Sequence, residues 1–193
     1  MSNATHTKRV YWRQGKLVNL CPLEAADALT VYRGINQPDT YEYLNTTLPK
    51  GLRFEETWVE QLQTPSEKNL VVGICTHDDI LIGTMGLHGI DLVNRVAETG
   101  SVIFAERYRS KGYGTDAKMV LLEYAFNYLG LHLVTSRVIA FNGRSAAYSK
   151  KCGYMEEARL RSRVFRNGER HDEIILSVTR DEWLPKWQQY HQT

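Results

Sequence analysis

Apolar and polar residues change their spacing several times along the chain, and each change marks an element. From Arg9 to Asn19 the two kinds alternate on either side of Gln14-Gly15, the pattern of a short hairpin. Leu23, Ala26, Leu29 and Val31 or Tyr32 then fall at helical spacing, with Pro22 suited to a first turn, and predict a helix over about 22–35. A second helix is predicted from about Phe54 to Leu62. The segment between them, Asn36 to Arg53, carries Pro38, Pro49 and Gly51 and reads as a long loop or broken helix of the kind that lines sites. Three strand-like runs follow, Asn69–Cys75, Ile80–Leu87 and Val96–Ala105, separated by His77-Asp78-Asp79 and by Asp91 to Arg95. The clearest periodicity is Ala117, Val120, Leu121, Tyr124, Ala125 and Tyr128, one face of a helix that Gly130 is placed to end. Leu133–Ala140 reads as an apolar strand, Ser145–Lys151 as a short helix and Met155–Phe165 as another strand. Asn167-Gly168 is a two-residue hairpin turn into a last strand, Glu173–Val178. Thr179 and Glu182 make a capping box for a terminal helix carrying Trp183 and Trp187.

Helices, an antiparallel meander, strand-helix-strand-helix and a closing hairpin define a mixed α/β (α+β) chain with no visible repeat or linker. With 193 residues, 42% hydrophobic and 24% charged, one globular domain over 1–193 is expected. The balance of 24 Lys+Arg against 22 Asp+Glu points neither to nucleic acid nor to a polybasic membrane surface. Cys21, Cys75 and Cys152 are odd in number and widely spaced, which predicts free thiols in a reducing compartment. The first twenty residues lack the apolar run of a signal peptide, and no stretch reaches the about 18 to 20 apolar residues that span a bilayer. A cytoplasmic protein without membrane contact is the expectation.

The segment Arg109, Ser110, Lys111, Gly112, Tyr113, Gly114 and Thr115 joins a strand to the start of the long helix. Its glycines let backbone N–H groups approach an anion, the helix dipole favours negative charge there, and Arg109 and Lys111 add cations, so a phosphate or pyrophosphate is the natural guest. A tight turn with solvated cations is the alternative. Gly112, Gly114 and Ala117 also satisfy GxGxxG/A, but a Rossmann unit wants a ribose-binding acid about 20 positions on. No Asp or Glu occurs between Glu123 and Glu156, and the GxxxxGK[ST] phosphate loop is absent.

The run RYRSKGYG fits the RxxGxG acetyl-CoA loop of the GNAT superfamily of N-acetyltransferases. The stretch from LLEYAFNYLG to the final RDEW resembles the RimJ/RimL branch, continuously from about Ile80 to Trp183. The resemblance implies a twisted, mostly antiparallel sheet flanked by helices and splayed at a cofactor cleft. There the pantetheine of acetyl-CoA would pair with backbone near Val102, Ile103 and Phe104, the pyrophosphate would sit on Arg109 to Thr115, and Asn142 would contact the arm from the other side. Ser145 would cap the adjoining helix and face the cofactor. No metal is implied, the six histidines lack metal-binding spacing, and many relatives are homodimers.

Acetyl transfer needs a base for the amine, and Glu98, in AETGSVIF, matches the glutamate of the family's AExG pattern. Its alternative is a surface carboxylate paired with Arg95 or another cation. Backbone N–H groups near Ile103 and Phe104 are candidates to stabilise the oxyanion. For the leaving thiolate the chain departs from the NxxAxxxYxKxGF of many relatives: it reads Asn142, Ser145, Ser149, Lys151, Gly153 and Tyr154, with its tyrosine one place early at Tyr148. One residue turns a helical side chain by about 100 degrees. Tyr148 is then either acid or packing, Ser145 or Ser149 could replace it, or no protein acid is needed, since thiols have a pKa of about 8.5.

Arg159, Arg161 and Arg163 alternate along a strand and read as one solvated face or a surface for an acidic or RNA substrate. His88 and His171 fall near the acceptor side, Asp39, Tyr41, Glu42 and Tyr43 offer an acidic, aromatic loop, and Cys152 reads as packing. The activity expected is acetyl transfer from acetyl-CoA to a primary amine, of a peptide N-terminus or a small molecule, by direct attack in a ternary complex. A non-catalytic acyl-CoA-binding module is the alternative, and nucleic acid enters only through a ribosomal substrate.

Overall fold

The computed structural model describes residues 9–44, 46 and 48–192. Most of the segment read for a signal peptide's apolar run is thus described, but its first eight residues lie outside, as do positions 45 and 47 of the expected long loop. The strands are β1 Arg13–Gln14, β2 Val18–Cys21, β3 Asn69–Thr76, β4 Leu81–Asp91, β5 Val96–Ile103, β6 Leu133–Ile139, β7 Met155–Arg166 and β8 Glu169–Thr179. The α-helices are α1 Ala28–Ile35, α2 Pro38–Tyr41, α3 Leu52–Gln61, α4 Tyr113–Asn127, α5 Gly143–Lys151 and α6 Arg180–Gln192.

All eight strands form one sheet in the order β1-β2-β3-β4-β5-β6-β8-β7, and every neighbouring pair is antiparallel except β5 and β6. Successive strand residues face opposite sides, so the sheet carries two cores. Val18, Leu20, Val72, Ile74 and Leu87 meet α4, α5 and the fully buried Trp183 of α6. Cys21, Cys75 and Leu81 face α1 and α3, with Phe104 closing that side. Cys21 and Cys75 are joined as a disulfide across β2 and β3, Cα to Cα 7.0 Å, which corrects the expectation of three free thiols; Cys152 alone stays free, and it is buried.

Local chemistry explains most boundaries. Asn167 and Gly168, both at positive φ, turn β7 into β8, and Thr179 and Glu182 cap each other's backbone at the start of α6. The helix expected from Pro22 begins later, in a 3-10 turn Ala25–Asp27 capped by Glu24 and Asp27. The predicted loop after it contains α2, with Pro38 at its start. The arginine stripe is not a regular face: the β7–β8 register shifts between Leu160 and Val164, Ser162 lies at φ 54, and Arg159 pairs with Glu156 and Asp172. Tyr128, assigned by periodicity to the apolar face of α4, is exposed.

Asp116 ties the chain's two ends to the start of α4. Its buried carboxylate accepts from the backbone N–H of Lys16, Leu17 and Val18 at 2.9 to 3.1 Å and from the Tyr190 hydroxyl at 2.7 Å. Burial and this contact raise the Tyr190 phenol's pKa well above its usual value. Gly15 is required beside it, because a Cβ there would lie 2.9 Å from the Val18 carbonyl and closer still to the carboxylate.

Asp116→Ala should therefore lower unfolding free energy by about 2–4 kcal/mol, by stranding several donors at once; a urea midpoint within error of wild type would contradict this. Burial pushes the Cys152 thiol up to about 12, against the weaker opposing pull of Lys118 and Lys151. Since thiolate is the reactive form, iodoacetamide at about pH 8 should leave Cys152 unmodified in the folded protein. Peptide mapping that finds it alkylated at the rate of a free thiol would refute its enclosure.

Candidate active site

β5 and β6 pair in parallel only over Val96–Glu98 against Leu133–Thr135. Beyond that point β5 stays with β4 as far as Ile103, while β6 follows β8 to Ile139, and the strands part. Side-chain hydroxyls add to the pairing at its end and just past it: Thr135 Oγ1 donates to the Ala97 carbonyl at 3.3 Å, Thr99 Oγ1 to that of Thr135 at 3.1 Å and Ser136 Oγ to that of Thr99 at 3.5 Å. The Tyr154 hydroxyl, from behind, meets Thr99 Oγ1 at 3.0 Å. The opening leads into a cavity of about 490 Å³ between β5, β6, the start of α4 and one face of α5.

At the α4 end, Gly112 takes φ 89 as the residue before the helix, and no side chain caps the first turn. The N–H groups of that turn are thus left for a ligand, at the positive end of a 15-residue helix. Ser110, Gly112, Gly114 and Thr115 line the cavity there. Arg109 is among the lining residues as well. Its guanidinium turns inward, donating to the carbonyls of Ile103, Phe104 and Asp39, to the Asp39 carboxylate at 2.8 Å and to Thr40 Oγ1 at 2.5 Å. It clamps α2 to the end of β5 and is not the free phosphate cation expected. Lys111 is exposed and Tyr113 packs toward Tyr108, ring centroids 6.1 Å apart; neither side chain lines the cavity.

On β5, Val102 and Ile103 line the cavity, but Phe104 does not. The Phe104 ring is buried against Gly34, its N–H donates to Ile82 and its carbonyl accepts from Thr40, so neither cofactor contact nor oxyanion donation fits that residue.

On the α5 wall, Asn142 caps the helix, its side chain accepting from the Ser145 N–H at 3.2 Å. Ser145 is accordingly not the cap; its hydroxyl makes no hydrogen bond among the described residues and lines the cavity. Tyr148 reaches across the cleft, its hydroxyl 2.5 Å from Ser101 Oγ on β5. Ser149 is fully buried and hydrogen-bonded to Lys118, outside the cavity, which removes it as a candidate acid. Arg144, which the motif reading passed over, and Lys151, which it named without a role, also line the cavity as cations. Their spacing on α5 was the available signal.

Glu98 stands where the strands part. Its Oε2 accepts from Arg137 Nε at 3.1 Å, not from Arg95, and Arg137 also lies 3.5 Å from Glu173. His88 is the cross-strand partner of Glu98 on β4. His171 packs edge-on against Phe141 at 4.8 Å, and neither histidine lines the cavity. Tyr43 does, with Arg144 over its ring, whereas Asp39 is held by Arg109. No cluster of metal-ligating side chains occurs among the described residues, and among them no helix is long and apolar enough to cross a membrane.

A split sheet with an uncapped glycine turn beside the gap suits an extended acyl donor with an anionic end. The acetyltransferase (GNAT) domain matches residues 18–155, and the chain belongs to that family. YdaF of Bacillus subtilis strain 168, by name a candidate ribosomal N-acetyltransferase, is 36% identical over 107 residues, 55% of this chain and 58% of that protein, so the match spans less than two thirds of that relative. A crystallised candidate acetyltransferase, 30% identical, superposes with a TM-score of 0.77 over 87% of this chain and 96% of its own. The spermidine N-acetyltransferase of Vibrio cholerae, crystallised with CoA and spermine, shares the fold at 22% identity, with a TM-score of 0.79 over 87% and 98% of the two chains. The chain is thus an N-acetyltransferase of the GNAT class, with acetyl-CoA as acyl donor. The cavity fits that donor: its glycine turn leaves N–H groups for a diphosphate, with Arg144 and Lys151 on the facing wall.

Gly112→Glu should abolish CoA binding, because a side chain at φ 89 is strained, its Cβ falls 3.0 Å from Leu17, and its carboxylate opposes the diphosphate. Calorimetric titration with CoA that gives wild-type affinity would remove this turn from the site.

Proposed function

We propose that the chain, acting as one domain, acetylates a primary amine by direct attack within a ternary complex. The carrying observation is that Glu98 and Tyr148 line one cleft from opposite sides. Bound acetyl-CoA supplies an activated thioester carbonyl. Val102 and Ile103 hold the pantetheine along the free edge of β5, Ser110 to Thr115 take the diphosphate, and Asn142, Ser145, Arg144 and Lys151 close the other side. Glu98 accepts the amine's proton on Oε1, which has no partner among the described residues, while Arg137 fixes the carboxylate through Oε2. Tyr148, aligned by Ser101, donates its hydroxyl proton to the departing sulfur. Its early position in the motif is offset by its reach across the cleft.

The acceptor that fits best is a peptide N-terminus, as in the RimJ/RimL branch; the likeness to YdaF supports this. Glu98, Glu173 and Arg137 together carry one net negative charge at the split, which suits a single ammonium better than a polycation. Spermidine, the substrate in the name of the Vibrio cholerae neighbour, is the second reading.

A panel of free-N-terminal peptides together with spermidine, assayed by thiol release from acetyl-CoA, should give turnover with peptides and little with spermidine; the reverse ranking would replace this acceptor class. Glu98→Gln should lower kcat/KM about 100-fold or more with acetyl-CoA affinity kept. Wild-type turnover in that variant would eliminate Glu98 as the base.

A further inference from the structure

Behind the α5 wall lies a buried cation. Lys118, in the first half of α4, is 1% exposed. Its ammonium donates to Ser149 Oγ at 3.0 Å and stands 4.4 Å from the centre of the Tyr148 ring and 4.7 Å from that of Tyr154. No carboxylate pairs with it among the described residues. An ammonium taken from water without a counter-ion destabilises a fold, and an unbranched apolar side chain would fill the same space without that cost. What Lys118 gains in exchange is attraction to two ring faces, strongest where water is excluded.

We infer that Lys118 is the positioning residue of Tyr148, holding the ring so that its hydroxyl meets Ser101 in the cleft and opposing the charge left on the phenol after proton donation. The inference rests on the reading of Tyr148 as the acid. In that step Tyr148 gives its proton to the sulfur as the carbon–sulfur bond breaks and its electron pair passes to sulfur. The phenol is left as phenolate, which regains a proton from solvent before the next turnover. The negative charge thus develops on the ring that Lys118 faces. Ser149 keeps the ammonium there, which gives that hydroxyl a place in the site although it never reaches the cavity.

The test compares wild type, Lys118→Met, Tyr148→Phe and the double variant. The free proteins carry 13C-labelled tyrosine, and the Tyr148 ring resonance is identified by its loss in Tyr148→Phe. Turnover is measured with acetyl-CoA and hydroxylamine, a small amine nucleophile. Lys118→Met should move the Tyr148 resonance and lower kcat about tenfold, equivalent to about 1.4 kcal/mol, with KM for acetyl-CoA within about twofold. In the Tyr148→Phe background it should cost no more than about twofold. An unmoved resonance, or an equal tenfold loss without the phenol, would overturn the inference and leave Lys118 a packing residue. Full activity in Tyr148→Phe would instead sink the acid reading itself. Should Lys118→Met not fold, Lys118→Gln, which keeps a polar end toward Ser149 without the charge, is measured in its place against the same outcomes.

Discussion

Three residues of parallel pairing decide what this sheet can do. Val96–Glu98 and Leu133–Thr135 hold β5 and β6 together, and past them each strand is held by its outer antiparallel neighbour. Sheet twist carries the two partnerships apart. The hydroxyls of Thr99 and Ser136 reach the opposite carbonyls where the backbone pairing stops, so the sheet ends its pairing there without stranding those groups. Polar backbone along the inner edge of β5 then faces a cavity, which is what an extended pantetheine arm requires.

The neighbouring parts turn that gap into a site. α4 starts beside it with a left-handed glycine and an uncapped first turn, while Asp116, in the same turn, aims its charge away into the β1–β2 turn and Tyr190. The open first turn of the helix is thereby braced by Lys16 to Val18 and by Tyr190, with the Asp116 carboxylate kept out of the cavity lining. Arg109 contributes from the opposite direction, fastening α2 beneath β5 through five contacts and so fixing where Thr40 and Tyr43 bound the cleft.

Much of this was legible in the sequence, and the misses have physical causes. Period-3.6 spacing located α4, Asn167-Gly168 located the last hairpin, and the glycines at 112 and 114 located the anion-binding turn. Each of these signals is local, and the role of that turn toward an anion is part of the proposal. Arg109 and Lys118 were not legible because residue type gives charge but not direction: one guanidinium turned inward, and one ammonium lay at the edge of the apolar stripe of α4, buried beneath α5. Tyr148 was read through a motif offset, but its reach depends on Ser101 across the cleft, which helical phase does not contain. The Cys21–Cys75 pairing joins strands that only the β2–β3 register brings together. The arginine alternation failed at Ser162, where a left-handed residue breaks the two-residue repeat.

We propose the parting of β5 and β6 as the acyl-donor site. A crystal structure of the full chain grown with CoA tests it most directly. The pantetheine should lie along Val102 and Ile103, the diphosphate over Gly112 to Thr115, and the thiol beside Tyr148. CoA bound on another face of the sheet, or strands β5 and β6 found paired along their whole length, would contradict it.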